Sequence, residues 1–410
     1  MKNRYRRTAA SQHLVIGVIL TCIIGLGLLS TVIMKKVTFE DHFAIPWAAG
    51  RGWLLEGISP YADDVTQIAN HTLSESTYQA QLPEIEVLTD PILNLVFILP
   101  FSLIPYEISR AIWVTAILLC IGLIGYFGLR LSGWKISFPE RIGMIALVVL
   151  WFPGIQTIIM GQSSPIIILL ILVGISAILS EQDTLAGFVL ALTFGSLPTT
   201  ALILLLILVW SISRRRWSII ASFFSGLAFL FIISLMLLPS WPLDWLGVLL
   251  NTYQNWDWVR TPVMDLAALL PGIANYLSIA LHAVLGIYLI ALWITLLGKS
   301  DSEFTWNALA LLVVAYLFHI QSSIHQLLIV IPALFLVFRL WSERWRVFGH
   351  GLSWLLMLGI VAGSWYFAAP EFAFTDDARF GALIVGLPLL VFAGMVWIRW
   401  WALKIPKLPF

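Results

Sequence analysis

An acidic pair, Glu40-Asp41, opens the first long hydrophilic segment of the chain, just after an apolar run that ends at Met34. Behind it come the aromatic and alanine-rich stretch Phe43 to Arg51, then Leu54-Leu55-Glu56-Gly57 and Pro60-Tyr61. A carboxylate fixed beside a membrane surface has the chemistry of a general base for an acceptor hydroxyl, a role worth about 10²–10⁴ in rate. The plainer reading is that acids following a first helix are solvated loop charges. The pattern between the acids and Gly57 predicts an amphipathic helix, stopped by Gly57 and Pro60-Tyr61. Other site chemistry is missing from the sequence. There is no Walker motif, no Rossmann glycine pattern and no His-Glu-x-x-His. Ionisable residues inside apolar runs are scarce, Arg110, Asp265 and His282 being the notable ones. Proton-coupled transporters usually carry several charges at membrane depth, so this scarcity weighs against a pump.

The elements that must position these residues are membrane helices. Of the 410 residues, 60% are hydrophobic and 11% charged, against roughly 25% charged in ordinary soluble domains. With a mean hydropathy of +0.94, the chain has too little polar surface for a soluble enzyme, a disordered chain or a nucleic-acid binder. Cys22 and Cys120 both lie in apolar runs, so neither a disulfide nor a metal cluster is expected. Many of the 20 tryptophans belong in interfacial belts. The run from Leu14 to Met34 follows a basic N-terminus; it is too long for a signal peptide and lacks a small-residue cleavage site, so it predicts an uncleaved first membrane helix. Further apolar segments cover 92–104, 107–129, 142–153, 165–180, 185–212, 217–238, 262–274, 276–297, 305–320, 324–341, 347–368 and 380–401. The expectation is an all-α polytopic membrane protein, a single integral domain over 1–410 with roughly 11–13 membrane-embedded helices.

Two hydrophilic segments stand out, 35–90 and 239–261. Lysine and arginine cluster at 2–7, at Arg214 to Arg216, at Arg339, Arg344 and Arg346, and at Arg399, Lys404 and Lys407. Placing these clusters inside puts both termini in the cytoplasm and both long loops outside, in a plasma-membrane protein. The first loop then carries nine of the 22 acids against three bases. One stretch has two readings. If 92–104 crosses the membrane, the loop from Arg130 to Arg141 is outside and Gly161-Gln162 inside. If 92–104 is a re-entrant half-helix, both flip, and 185–212 must break at Gly195-Ser196-Leu197-Pro198. The basic residues Arg130, Lys135 and Arg141 favour the second. Asn70-His71-Thr72 is a glycosylation sequon, relevant only in a eukaryotic secretory membrane.

The order of short motifs resembles glycosyltransferase family 87 over about residues 38–340. The first loop matches with its acidic pair, Ala49-Gly50-Arg51, Leu54-Leu55-Glu56-Gly57 and Pro60-Tyr61. Then follow Asp90-Pro91-Ile92-Leu93, Leu99-Pro100, Ile104-Pro105, Ala111-Ile112-Trp113, Gly161-Gln162-Ser163-Ser164, Ala186-Gly187 with Pro198, Arg214 to Trp217, and Ser322-Ser323-Ile324-His325 ahead of Pro332. The resemblance implies a type C glycosyltransferase fold with a helical first outer loop. It implies a sugar taken from a polyprenyl-phosphate donor on the outer face, and a first-loop acid as catalytic base, here Asp41 with Glu40 in reserve. Many members carry a lysine just before the proline at Ser196-Leu197-Pro198, and this chain has none.

On that resemblance the substrate-binding candidates are Arg51, Tyr61, Gln162, Asp257, Arg260 and His325. Arg51, Arg260 and His325 are phosphate-clamp candidates, an arginine fork fitting phosphate in bidentate fashion. Each has an ordinary alternative: snorkelling for Arg51, helix capping for Arg260, packing for His325. Gln162 can donate to sugar or phosphate if 92–104 is re-entrant. The stretch 251–260, with Asp257, has the residue content of a carbohydrate surface, interfacial tryptophan anchoring being the commoner explanation. No cofactor is called for, and a divalent metal is left open. The expected partners are a polyprenyl-phosphate hexose, with mannose as the sugar, a glycan or lipid acceptor, and membrane lipids, with no nucleic acid. The rivals are a lipid or polysaccharide flippase and a non-catalytic scaffold of the same fold. A transporter would depend on Asp265 or Arg110, an enzyme on the loop carboxylates. Asp41→Asn is expected to remove the base while leaving stability near wild type.

Overall fold

The computed structural model describes residues 38–83, 88–95, 97–252, 261–268, 272–297, 301–319, 324–368 and 377–401, with positions 25, 27, 32, 34–36 and 270 besides. The described residues are helical almost throughout. The expected first helix at 14–34 lies largely outside them, and Gly25, Gly27, Val32 and Met34 are helical. The chain forms two compact units, one made of residues 1–88, 95–120 and 157–163, the other of 89–94, 121–156 and 164–410.

In the first unit, β1 (Phe39–Glu40) pairs in parallel with β2 (Ala80–Gln81). The Asp41 amide extends this ladder by donating to the Gln81 carbonyl at 2.8 Å. Asp41 Oδ1 accepts the Phe43 amide at 2.8 Å, a side-chain turn of the kind short acidic residues favour. That turn launches α1 (Ala44–Arg51), whose Pro46 sits in the first turn, where no backbone donor is needed. The helix relaxes into a π-turn over Gly52–Glu56 and stops at Gly57 (φ +70°), as the sequence leads one to expect. Next, α2 (Asp64–Glu75) buries Val65, Ala69 and Leu73, spaced by four, and packs on α1.

The segment at 92–104 is not a membrane span. It forms two four-residue helices, α3 (Ile92–Leu95) and α4 (Leu99–Ser102), each a single turn where a crossing needs about 20 residues. Then α5 (Tyr106–Ser132) is long and apolar enough to cross. The pair α6 (Phe138–Leu150) and α7 (Phe152–Met160) is bent by 56°. Trp151 between them is extended, and Pro153 occupies the first turn of α7.

In the second unit, α8 (Ser164–Leu179) is followed by α9 (Asp183–Ala191), a 3-10 turn at Phe194–Ser196, and α10 (Leu197–Ser213). The run 185–212 is therefore broken, with Pro198 in the first turn of the new helix, as the re-entrant reading of 92–104 requires. After α11 (Trp217–Leu237) and α12 (Trp241–Thr252) come α13 (Pro262–Ala268), shorter than the expected 262–274, α14 (Ala274–Leu296) and α15 (Asp301–Leu317). A 3-10 segment over Ile324–Val330 leads into α16 (Ile331–Ala368), kinked at Arg346, and α17 (Asp377–Trp401) closes the chain. Four helices among the described residues are long and apolar enough to cross a membrane, five if the bent pair counts as one span, and four shorter apolar helices accompany them. Their outward faces are apolar: on α14, Tyr276, Ile279 and Ile287 are exposed. Such faces need lipid around them. The chain is an all-α, multi-pass membrane protein.

Candidate functional site

Asp41 is completely buried, and so is Arg110, one turn into α5. Arg110 Nε donates to Asp41 Oδ2 at 2.8 Å, and the Tyr106 hydroxyl donates to the same oxygen in a very short bond. With the Phe43 amide on Oδ1, the carboxylate holds three of the roughly four hydrogen bonds it can accept. The guanidinium is fixed as firmly. Its Nη2 donates to the Ile159 carbonyl at 2.5 Å, and its centre lies 5.7 Å from the Phe39 ring and 6.0 Å from the Phe43 ring. Two aromatic faces and a carboxylate can hold a cation away from water.

The wall around this pair is aromatic. Phe43 stacks on Trp113 at 5.2 Å, and Trp47 meets Tyr106 edge-on at 5.3 Å. The Trp113 indole donates to the Gly161 carbonyl at 2.8 Å, and the His42 amide to the Met160 carbonyl at 3.0 Å. Gly161 is in the left-handed region (φ +68°), and a Cβ there would lie 2.7 Å from Arg110 Nη1. Only glycine lets the chain turn so close to the guanidinium. His42 is partly covered; burial pushes its imidazole below its ordinary value, Asp41 pulls it back up, and Arg110 adds to the lowering.

The other sequence candidates are spread out. Glu40 is half-exposed, its Oε2 3.8 Å from His42 Nε2. Arg51 is partly buried, lies 5.3 Å from the Trp47 ring and donates through Nη1 to the Ser102 carbonyl at 3.3 Å. Tyr61, in the turn before α2, donates its amide to Ser59 Oγ at 3.4 Å. Gln162, in the turn after α7, bonds its amide to the Thr157 carbonyl. Asp41, Glu40, Arg51, Tyr61 and Gln162 thus belong to the first unit, whereas His325, buried at the start of the 3-10 segment, belongs to the second. Asp257 and Arg260 lie outside the described residues.

Arg110 was legible only as a lone cation in an apolar run. The structure makes it the partner of a loop carboxylate, so dependence on Arg110 does not separate a transporter from an enzyme. Its signal was there: a buried charge must be paired, and acids crowd the first loop. Tyr106 carried no such mark. Within the second unit, Asn94 bonds through Nδ2 to the Gly195 carbonyl at 3.2 Å and Ser196 Oγ at 3.1 Å. An amide therefore meets the Gly195–Pro198 segment, which carries no lysine. Asp90, one turn before, is pushed up by burial, with an Asn94 hydrogen bond opposing. The His319 ring bonds Thr199 Oγ1 at 2.8 Å.

A fixed carboxylate with one acceptor position left on Oδ1 can take a proton. Among the described residues no cluster of three or more His, Cys, Asp or Glu could hold a metal ion. No curated protein matches the chain. A family model described as glycosyltransferase family 87 matches residues 89–321, more than half of the chain and inclusive of Arg110, Gln162 and the Gly195–Pro198 segment.

Proposed function

The chain belongs to glycosyltransferase family 87, and from that premise we propose that this membrane glycosyltransferase is of type C, moving a hexose, mannose, from a polyprenyl-phosphate donor to a glycan or lipid acceptor on the non-cytoplasmic face. The acceptor O–H gives its proton to Asp41, and the freed oxygen attacks the anomeric carbon. The C1–O bond to phosphate breaks with its electron pair leaving on the polyprenyl phosphate. One displacement inverts the anomeric centre. No nucleotide pocket is needed for such a donor, in keeping with the missing nucleotide motifs. Arg51, Arg260 and His325 are assigned to the departing phosphate, where charge develops, and Tyr61, Gln162 and Asp257 to sugar and acceptor.

One observation carries this reading: the Asp41 carboxylate is oriented by three donors that leave one position on Oδ1 unused. Because Asp41 is buried, transfer requires the first loop to admit the acceptor to Oδ1; catalytic hydrogen bonds often form fully only in the complex. The test is sugar transfer from a synthetic short-chain polyprenyl-phosphate mannose in nanodiscs. Asp41→Asn is expected to lower transfer about 10²-fold or more, with Glu40→Gln doing less. Full activity in both variants and in the double variant would sink the first-loop base. A wild type inactive with every donor tried would point to the flippase or the scaffold reading, the latter in keeping with the missing lysine near Pro198.

A further inference from the structure

The geometry points to Tyr106 and Arg110 as positioning residues that aim the free Oδ1 lone pair of Asp41 at the acceptor, with the glycine turn at 161 giving Arg110 room. This rests on Asp41 being the base and deepens it. Neither residue touches substrate on this account; each acts through the carboxylate.

The argument is geometric. A carboxylate on a loop can rotate about its last side-chain torsion, and rotation would exchange its two oxygens. Here Oδ2 is fixed from α5 by two donors one helical turn apart, Tyr106 and Arg110. Oδ1 is fixed from its own chain by the Phe43 amide. Arg110 is tied down by the bond from Nη2 to the Ile159 carbonyl, and the turn at Gly161 gives it room, since a Cβ there would lie 2.7 Å from Nη1. Tyr106 is wedged between rings, with Trp47 at 5.3 Å, Phe43 at 6.3 Å and Tyr78 at 6.4 Å. Three chain segments distant in sequence therefore agree on one orientation of one carboxylate. With two donors on Oδ2 and one on Oδ1, Oδ1 is the carboxylate oxygen with capacity left to accept.

The experiment compares Tyr106→Phe, Arg110→Lys and Gly161→Ala with wild type and Asp41→Asn, each in nanodiscs. Donor-binding sites are counted by titration with a short-chain polyprenyl phosphate, so that kcat is expressed per folded site. Tyr106→Phe removes one oxygen and is expected to cut kcat per site about tenfold with donor KM unchanged, since small misplacements of a reacting group are costly. Its pH–rate profile is the second readout. Among the described residues, the charged or titratable groups that act on the carboxylate are His42 on its own segment, Tyr106 and Arg110 on α5, and Tyr78 behind Tyr106. Removing a donor that favours the ionised form moves the acidic limb of the profile to higher pH, which a merely structural loss would not do. Arg110→Lys keeps the charge but not the fork, and should lose more than Tyr106→Phe. Gly161→Ala, which removes no donor, should lower kcat per site as well. If Tyr106→Phe and Arg110→Lys keep wild-type kcat per site and the wild-type acidic limb while Asp41→Asn is inactive, the positioning inference is overturned and the base stands. If Asp41→Asn itself transfers normally, the base reading fails and this inference with it.

Discussion

At the scale of single residues, burial of the Asp41–Arg110 pair changes what a substitution at Asp41 means. Asparagine fills the space, but it leaves the Arg110 guanidinium buried without a counter-charge. Breaking one side of such a pair costs about 3–5 kcal/mol, so Asp41→Asn should lower thermal stability in detergent as well as transfer. The expectation that this variant folds like wild type does not survive the structure. Glu40→Gln, on a half-exposed side chain, should melt within a degree or two of wild type. A midpoint for Asp41→Asn equal to that of Glu40→Gln would contradict the buried pair. His42 gives a second prediction. Its folded-state proton affinity is lowered by burial from the ordinary 6.5, so the unfolded chain binds the proton more readily. The stability from keeping His42 neutral is complete above that ordinary value and is lost as pH falls below it toward the depressed one. His42→Gln should therefore flatten the fall in stability between neutral and mildly acid pH, measured by thermal melts at several pH values. The acidic pair was legible in the sequence from its place after a first helix. Its partner was not, because Arg110 stands 69 residues away and no local pattern links them.

At the scale of elements, the breaks were easier to read than the contacts. Gly195 and Pro198 marked the interruption of 185–212, because proline suits a helix start and glycine a turn. The basic residues Arg130, Lys135 and Arg141 likewise favour a re-entrant 92–104 over a continuous span. The kink at Arg346 (φ +48°) inside α16 was marked too, because it falls in the charged stretch that separates the apolar segments 324–341 and 347–368. Packing of α1 on α4 was invisible. It depends on Gly50, where a Cβ would collide with Ser102 Oγ and lie 3.0 Å from its Cβ. Gly50→Ala should therefore push α4 away and cost about 1–3 kcal/mol, the usual range for overpacking. Combining it with Ser102→Gly should recover part of that loss, a coupling expected of residues in contact. Strict additivity in the double-mutant cycle would show that α1 and α4 do not meet at this point.

At the scale of the whole molecule, composition alone announced a polytopic membrane protein, while which helices cross depended on lengths that only the structure gives. Orientation is still the lysine and arginine argument. It predicts that cysteines introduced at the exposed positions Ser74 and Asn251, in a background without Cys22 and Cys120, react with an impermeant maleimide on intact cells. A cysteine at Arg215, in the turn between α10 and α11, should react only after lysis. Labelling of Arg215→Cys from outside would invert the arrangement. The three-segment clamp around Asp41 also has a consequence in time. At about 5–20 residues per second of synthesis, the 69 residues between Asp41 and Arg110 take roughly 3–14 s to make. The carbonyl of Ile159 that steadies the arginine arrives later still. Through that interval the first loop has been made but its carboxylate has no cation, so it must stay hydrated at the bilayer surface and settle afterwards. A ribosome that stalls before residue 110 leaves a loop that cannot tuck in its own acid, and the nascent chain would present that unneutralised charge to the cell's quality control.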